Sequence, residues 1–351
     1  MLRKKDIFRK LGLLVMAMVL LTGCGYSREK YENKVEQKQY QASFLTLFDT
    51  VTTILGYAGT EEEFEKITDT IYADLEKYHQ LFDIYNDYEV NNIKTINDQA
   101  GIAPVKVDGE IIDLLLDCKE YYQVTGGKVN VAMGSVLQLW HEAREKGVND
   151  PLNASLPDED ALKEAALHCN LEDVVIDEAA STVYIRDPKL RLDVGAVAKG
   201  WATERVCENA PEGLLVSVGG NVKATGPKPK DVSWVVGIES PWDDQSDYVH
   251  TLYVNRECVV TSGDYQRYYT VDGKRYHHLI EPETLYPGER WEAVSVVCED
   301  SGLADALSTA LFLLPKEEGQ EILNQYDAYA LWIASKEEIY YSEGFEKLIK
   351  R

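Results

Sequence analysis

The sequence predicts an α+β fold, a single large domain of segregated antiparallel strands with flanking helices. Three observations carry this. Helical spacing dominates the first half of the chain, strand-like runs dominate from Leu214 onward, and no Pro- or Gly-rich linker interrupts Phe44 to Arg351. A length of about 310 residues after the leader and tether is compatible with one domain.

The elements follow in order. Residues 1–23 read as an export signal, with Arg3, Lys4, Lys5, Arg9 and Lys10 ahead of an apolar run from Leu11 to Leu21 that is too short to span a bilayer. Residues 24–42 read as a polar tether, and 43–351 as the folded domain. Phe44–Gly56, rich in Thr and Val, is predicted as a strand. Thr60 is placed to cap a helix through Tyr78, with Glu61, Glu62 and Glu63 in the first turn where the helix dipole favours acids. Asp108 opens a second helix, in which Ile111, Leu114, Leu115 and Cys118 recur at helical spacing. Met133–Lys146 and Asp158–Cys169 are further helices, Val174–Arg186 a hairpin, and a helix follows Asp193 through Val206. Strands are expected at Leu214–Val218, Ser233–Glu239, Val249–Asn255, the two arms of Tyr265–Ile280 around an Asp272-Gly273 turn, and Ala293–Cys298. Ser301 is expected to cap a helix over Leu303–Leu314. Ala328–Ser335 and Glu338–Tyr341 close the chain as short strands.

Composition narrows the function. The whole chain carries a formal charge of −24. Removing residues 1–23 takes away five basic residues and one acid and leaves −28. Nucleic acid is therefore an unfit partner, because backbone phosphates demand a basic face. Beyond Cys24, the five cysteines (Cys118, Cys169, Cys207, Cys258, Cys298) are scattered, with no CxxC spacing. They read as core thiols, not as a zinc site or a disulfide framework.

Four clusters carry chemistry. Leu192-Asp193-Val194-Gly195-Ala196-Val197-Ala198-Lys199-Gly200-Trp201 sets an acid and a glycine turn against a helix start, where backbone groups can approach a phosphate or metal. Taken alone it is also an ordinary strand-to-helix turn. Val218-Gly219-Gly220-Asn221 allows a close backbone approach or a tight hairpin turn. Asp305 and Thr309 lie four residues apart on one helix face, an arrangement that suits two oxygen ligands of Mg²⁺ and equally a dipole-complementing acid beside a back-bonded Thr. The fourth cluster runs from Thr261-Ser262-Gly263-Asp264 through Arg267 to His277-His278-Leu279. Adjacent histidines on a strand point to opposite faces, so at most one serves a given site.

These motifs, in this order, resemble the FAD:protein FMN transferases, the ApbE-type flavin transferases, over roughly Phe44 to Pro315. Phe48-Asp49-Thr50 and Thr125-Gly126-Gly127 also fall where that family has such elements. Leu21-Thr22-Gly23-Cys24 resembles a bacterial lipobox, which implies lipidation of Cys24 and a membrane-anchored protein facing the outside or periplasm. The resemblance implies an enzyme that binds FAD in a cleft, cleaves it and attaches FMN to a Thr of an exported acceptor, with AMP released. The family's usual acceptors are subunits of membrane electron-transfer complexes. It further implies Mg²⁺ held by Asp305, Thr309, the Ala196 carbonyl and Ser308. Phe48, Tyr85, Lys128, Val129, Asn130, Asp193, Lys199, His278 and Leu279 would line the FAD site. His278 is the first choice of general base and Asp264 the reserve. An FAD pyrophosphatase and a non-catalytic flavin-binding lipoprotein are the alternatives. Three departures stand out: Asn130 and Glu281 where the family commonly has Asp, and Leu285 where it has Gly.

Overall fold

The computed structural model describes residues 37–242 and 247–351. The export signal, Cys24 and most of the tether lie outside them. Residues 37–351 form one compact unit.

Its centre is an eight-stranded antiparallel sheet in the order β1-β2-β6-β7-β10-β13-β14-β15. The strands are β1 (Lys38–Phe44) and β2 (Thr52–Ala58), β6 (Leu214–Val218) and β7 (Asn221–Ala224), β10 (Cys258–Gly263), β13 (Ala293–Cys298), β14 (Tyr329–Ser335) and β15 (Glu338–Tyr341). The short strands β3 (Val105–Lys106), β4 (Val174–Asp177) and β5 (Thr182–Ile185) make a separate sheet. β8 (Trp234–Glu239) pairs with β9 (Tyr248–Val254), and β11 (Tyr268–Val271) with β12 (Lys274–His277). Eight α-helices are described: α1 (Glu61–Phe82), α2 (Ile93–Asp98), α3 (Gly109–Val124), α4 (Gly134–Asn149), α5 (Glu159–Ala166), α6 (Ala198–Glu208), α7 (Ser301–Leu313) and α8 (Lys316–Leu323).

β13 shows why the sheet is central. Ala-Val-Ser-Val-Val-Cys has no polar face, as expected of a strand covered on both sides. Val294, Val296 and Cys298 pack towards α7, while Ala293 and Val297 pack with Trp234, Leu252 and Phe345 on the opposite face. α7 is apolar almost all round and correspondingly buried between two core clusters. A polar group on such a helix needs a reason to be there.

Four sequence expectations change. Phe44–Gly56 is not one strand: Phe44 ends β1, Thr52 starts β2, and the link passes through Phe48 and Asp49, both at positive φ (54° and 52°). Local Thr/Val content could not reveal that reversal, because β1 takes its partner from β2 only after the chain turns. β1 begins at Lys38, inside the segment read as tether. The cap of α7 is Asp300, whose carboxylate accepts from Leu303 N, so Ser301 is the first helical residue. β3, β7, β10, α2 and α8 are not foreseen as separate elements. The remaining predicted helices and strands form within a few residues of their expected limits, and Thr60 caps α1 by accepting from Glu63 N.

Candidate active site

A cleft of about 1070 Å³ opens between the helical half and the sheet. That is large enough for a dinucleotide-sized ligand. It brings together Phe48, Tyr85, Lys128, Val129, Asn130, Asp193, Ala196, Lys199, His278, Leu279, Asp305 and Thr309, which span most of the domain's length. Asp264 and Ser308 are not among its lining residues. Asp264 binds Glu292 O through its own backbone N–H, and burial, then the Glu292 charge, raise its carboxyl pKa. Ser308 is wholly buried, donates to Asp305 O and pairs with Ser262 Oγ at 2.9 Å.

The floor is built by the crossing of α6 and α7. Asp305 is 5% exposed, and its Oδ2 accepts from Gly200 N at 2.8 Å. Gly200 N is one of the first-turn N–H groups of α6 that no helical carbonyl can satisfy. Val197, the residue before α6, supplies no side-chain cap, so the carboxylate of one helix finishes the start of the other. Burial raises the Asp305 pKa, and Lys199, the Gly200 N–H and Asn221 oppose that rise. A buried carboxylate with a hydroxyl one turn on, both on the cleft wall, is a hard-oxygen donor set. Among the described residues no cluster of three His, Cys, Asp or Glu forms a closed metal site. A carboxylate and a hydroxyl are hard-oxygen donors of the kind Mg²⁺ takes, and they lack the nitrogen and sulfur ligands of a structural zinc.

The two histidines separate at the end of β12, where His277 is the last strand residue and His278 lies just beyond it. His277 Nε2 bonds Gly288 O at 2.7 Å, its Nδ1 accepts from Leu279 N, and its ring stands edge-on to Phe312. It is structural. His278 lines the cleft and its buried Nδ1 has no protein partner. Burial, then Arg267 and Lys199, hold its pKa down to about 3, so the imidazole is neutral and, with the cleft empty, only weakly basic.

The other walls show what the departures mean. Asn130 uses both ends of its amide: Oδ1 accepts from Ala132 N and Nδ2 donates to Cys169 O, both at 2.9 Å. An Asp could not make the second bond. Lys128 is clasped by Glu281 and Glu283 at 2.5 and 2.6 Å. Leu285 sits at φ 64°, where Gly is ordinarily favoured and a β-carbon costs about 1–2 kcal/mol. Packing in the cluster around Trp140, and the Trp140 Nε1 bond to Leu285 O at 2.9 Å, hold it there. Phe48 stands edge-on to His79, whose Nδ1 accepts from Phe48 N, and Tyr85 lies over His141 with ring centres 5.3 Å apart. Asp193 accepts from Gly195 N at 2.8 Å, which shapes the turn into α6, and burial raises its pKa.

The sequence singles out the Val218–Asn221 turn without giving Asn221 a role and does not single out Arg144 or Trp140, although all three border the cleft. The glycine pair before Asn221 was the one available signal.

The architecture is that of the ApbE proteins. The crystal structure of the ApbE protein from Thermotoga maritima matches with a TM-score of 0.78 at 28% identity, covering 90% of this chain and 100% of that one. The chain belongs to the ApbE family, whose model matches residues 48–332. Its relatives include an FAD:protein FMN transferase of Treponema pallidum (strain Nichols), 28% identical across 98% of this chain and 96% of that protein. Another, from Klebsiella pneumoniae (strain 342), is 30% identical across 78% of this chain and 84% of its own length.

Proposed function

We propose that this protein transfers FMN from FAD to a threonine hydroxyl of an acceptor protein, with Mg²⁺ required and AMP released. One observation carries the reading: in an ApbE-family chain, a single cleft joins the buried Asp305–Thr309 helix face to Lys199 and to a neutral, unpartnered His278.

In the transfer, the acceptor oxygen bonds to the phosphorus on the FMN side of the pyrophosphate. The bond from that phosphorus to the bridging oxygen breaks, and AMP leaves with that oxygen. His278 Nδ1 takes the hydroxyl proton. Lys199 supplies fixed positive charge beside the pyrophosphate, which matters because positioning and charge neutralisation dominate this class of reaction. Asp305, Thr309 and the Ala196 carbonyl would hold Mg²⁺. When bound, the ion offsets phosphate charge and polarises the scissile bond. Phe48 and Tyr85 offer aromatic faces to the ring systems. The same reading places the enzyme at the cell membrane through a lipid on Cys24, where exported subunits of electron-transfer complexes are within reach; palmitate labelling that fails to mark Cys24 would remove that part.

The test is incubation of the domain with FAD and Mg²⁺, with and without an acceptor domain carrying a flavinylation threonine. An acceptor heavier by one FMN, with AMP released, is the expected result. AMP and free FMN without adduct would make the protein a pyrophosphatase, and FAD bound but intact would leave only a flavin binder. His278→Ala should slow adduct formation by roughly 10²- to 10⁴-fold, the range of general-base catalysis. An unaffected rate would take the base role away from it.

A further inference from the structure

The floor of the cleft holds one buried amide donor that lies close to the Asp305 carboxylate yet makes no well-formed hydrogen bond to it. Asn221 is 3% exposed, borders the cleft, and its Nδ2 is buried without a hydrogen-bond partner. Its position is not adjustable. Gly219 and Gly220, at φ 57° and 92°, form the tight turn between β6 and β7, and Gly219 N is tied to Val51 O. Thr50 closes in on Gly219 so tightly that a β-carbon there would meet its Oγ1 at 2.6 Å. The carboxamide is thus delivered rigidly beside Asp305, on the same wall as Lys199. A buried N–H without a partner is costly, so its retention calls for a cause, and at the wall of a ligand-sized cleft a ligand is the direct one.

We infer that Asn221 is a substrate-binding residue whose Nδ2 donates to a phosphate oxygen of the bound pyrophosphate. The inference rests on the proposed reading of the cleft as an FAD site. The surroundings favour an anionic oxygen over a carbonyl. Lys199 supplies positive charge here, and an Asp305-bound cation would draw phosphate to the same place. Asn221 is neutral, so it can approach both Asp305 and a phosphate without the repulsion that a second carboxylate would bring. That is a physical reason for an amide, and not an acid, at the end of this turn.

The experiment compares wild type with Asn221→Ala and Asn221→Asp in Mg²⁺, using three probes: FAD, ADP (pyrophosphate without flavin) and riboflavin (flavin without phosphate). Asn221→Ala should weaken FAD and ADP by roughly 10- to 100-fold, the scale of one hydrogen bond to a charged group, and leave riboflavin unchanged. Asn221→Asp should weaken FAD and ADP further. Thermal melts check that each variant folds. Unchanged FAD and ADP affinity in Asn221→Ala would overturn the inference, as would equal weakening of riboflavin, which marks a structural role. A raised Mg²⁺ requirement with unaltered ligand affinity at saturating Mg²⁺ would also overturn it, because Asn221 would then act through Asp305. Wild type that binds neither FAD nor ADP would defeat the FAD reading itself and this inference with it. Wild type that binds FAD as tightly as Asn221→Ala would defeat the inference alone.

Discussion

Asp305→Asn should yield a folded protein whose Mg²⁺-dependent turnover falls by at least about 10³-fold. The number follows from the several kcal/mol of charge stabilisation that a catalytic metal supplies, at a factor of ten per ~1.4 kcal/mol. The choice of Asn is deliberate. Asp305 has a second task, accepting from Gly200 N at 2.8 Å at the start of α6. Asn keeps an oxygen for that bond and removes the charge. Asp305→Ala removes both, and should lose the same activity together with about 1–3 kcal/mol of stability, because a buried N–H is left unpaired. Steady-state rates over a Mg²⁺ series, with thermal melts of both variants, separate the two tasks. Turnover by Asp305→Asn near the wild-type rate would end the metal assignment.

The largest expected effect on the fold itself comes from Gly200→Ala. A β-carbon at Gly200 would sit inside 3.0 Å of both the Ser301 carbonyl oxygen and the Asp305 Cβ, so α6 and α7 must separate to admit it. Helix propensity favours Ala over Gly by up to about 1 kcal/mol. Overpacking a buried crossing costs about 1–3 kcal/mol, because backbone has to move. The steric term wins at this site, since one of the obstructing atoms is main-chain. A fall in Tm of several degrees is expected, with a loss of activity that no Mg²⁺ concentration restores, because the shift moves Asp305. A Tm equal to wild type with full activity would show that the crossing is looser than described.

Much of this protein is legible without coordinates where the information is local. Thr60 and Asp108 cap the helices they were expected to cap, and Asp272-Gly273, at φ 50° and 81°, makes the expected tight turn. The Asp305–Thr309 face stands out because it interrupts an otherwise apolar helix, and such an interruption is visible in the string itself. Strand alternation allowed at most one of His277 and His278 to serve a given site. Which one faced the site could not be read, because that depends on what lies on each side of the strand.

Other features needed the fold. Lys128 meets Glu281 across 153 positions of sequence. Asp264 and Ser308 sit in site-like motifs yet do not line the cleft, whereas Arg144, on α4, does. Short runs of sequence record periodicity, caps and turns, since those are settled by neighbours a few residues away. From such signals the sequence alone determined an α+β domain, its capped helices, a strongly acidic net charge, and membership of a family defined by ordered motifs. Only the tertiary structure decided that Phe44–Gly56 doubles back into two strands, that Asp305 completes α6, and that Asn221 carries an unsatisfied donor. Each of those depends on groups from distant segments meeting in a buried place, where an unpaired polar atom has no water to turn to.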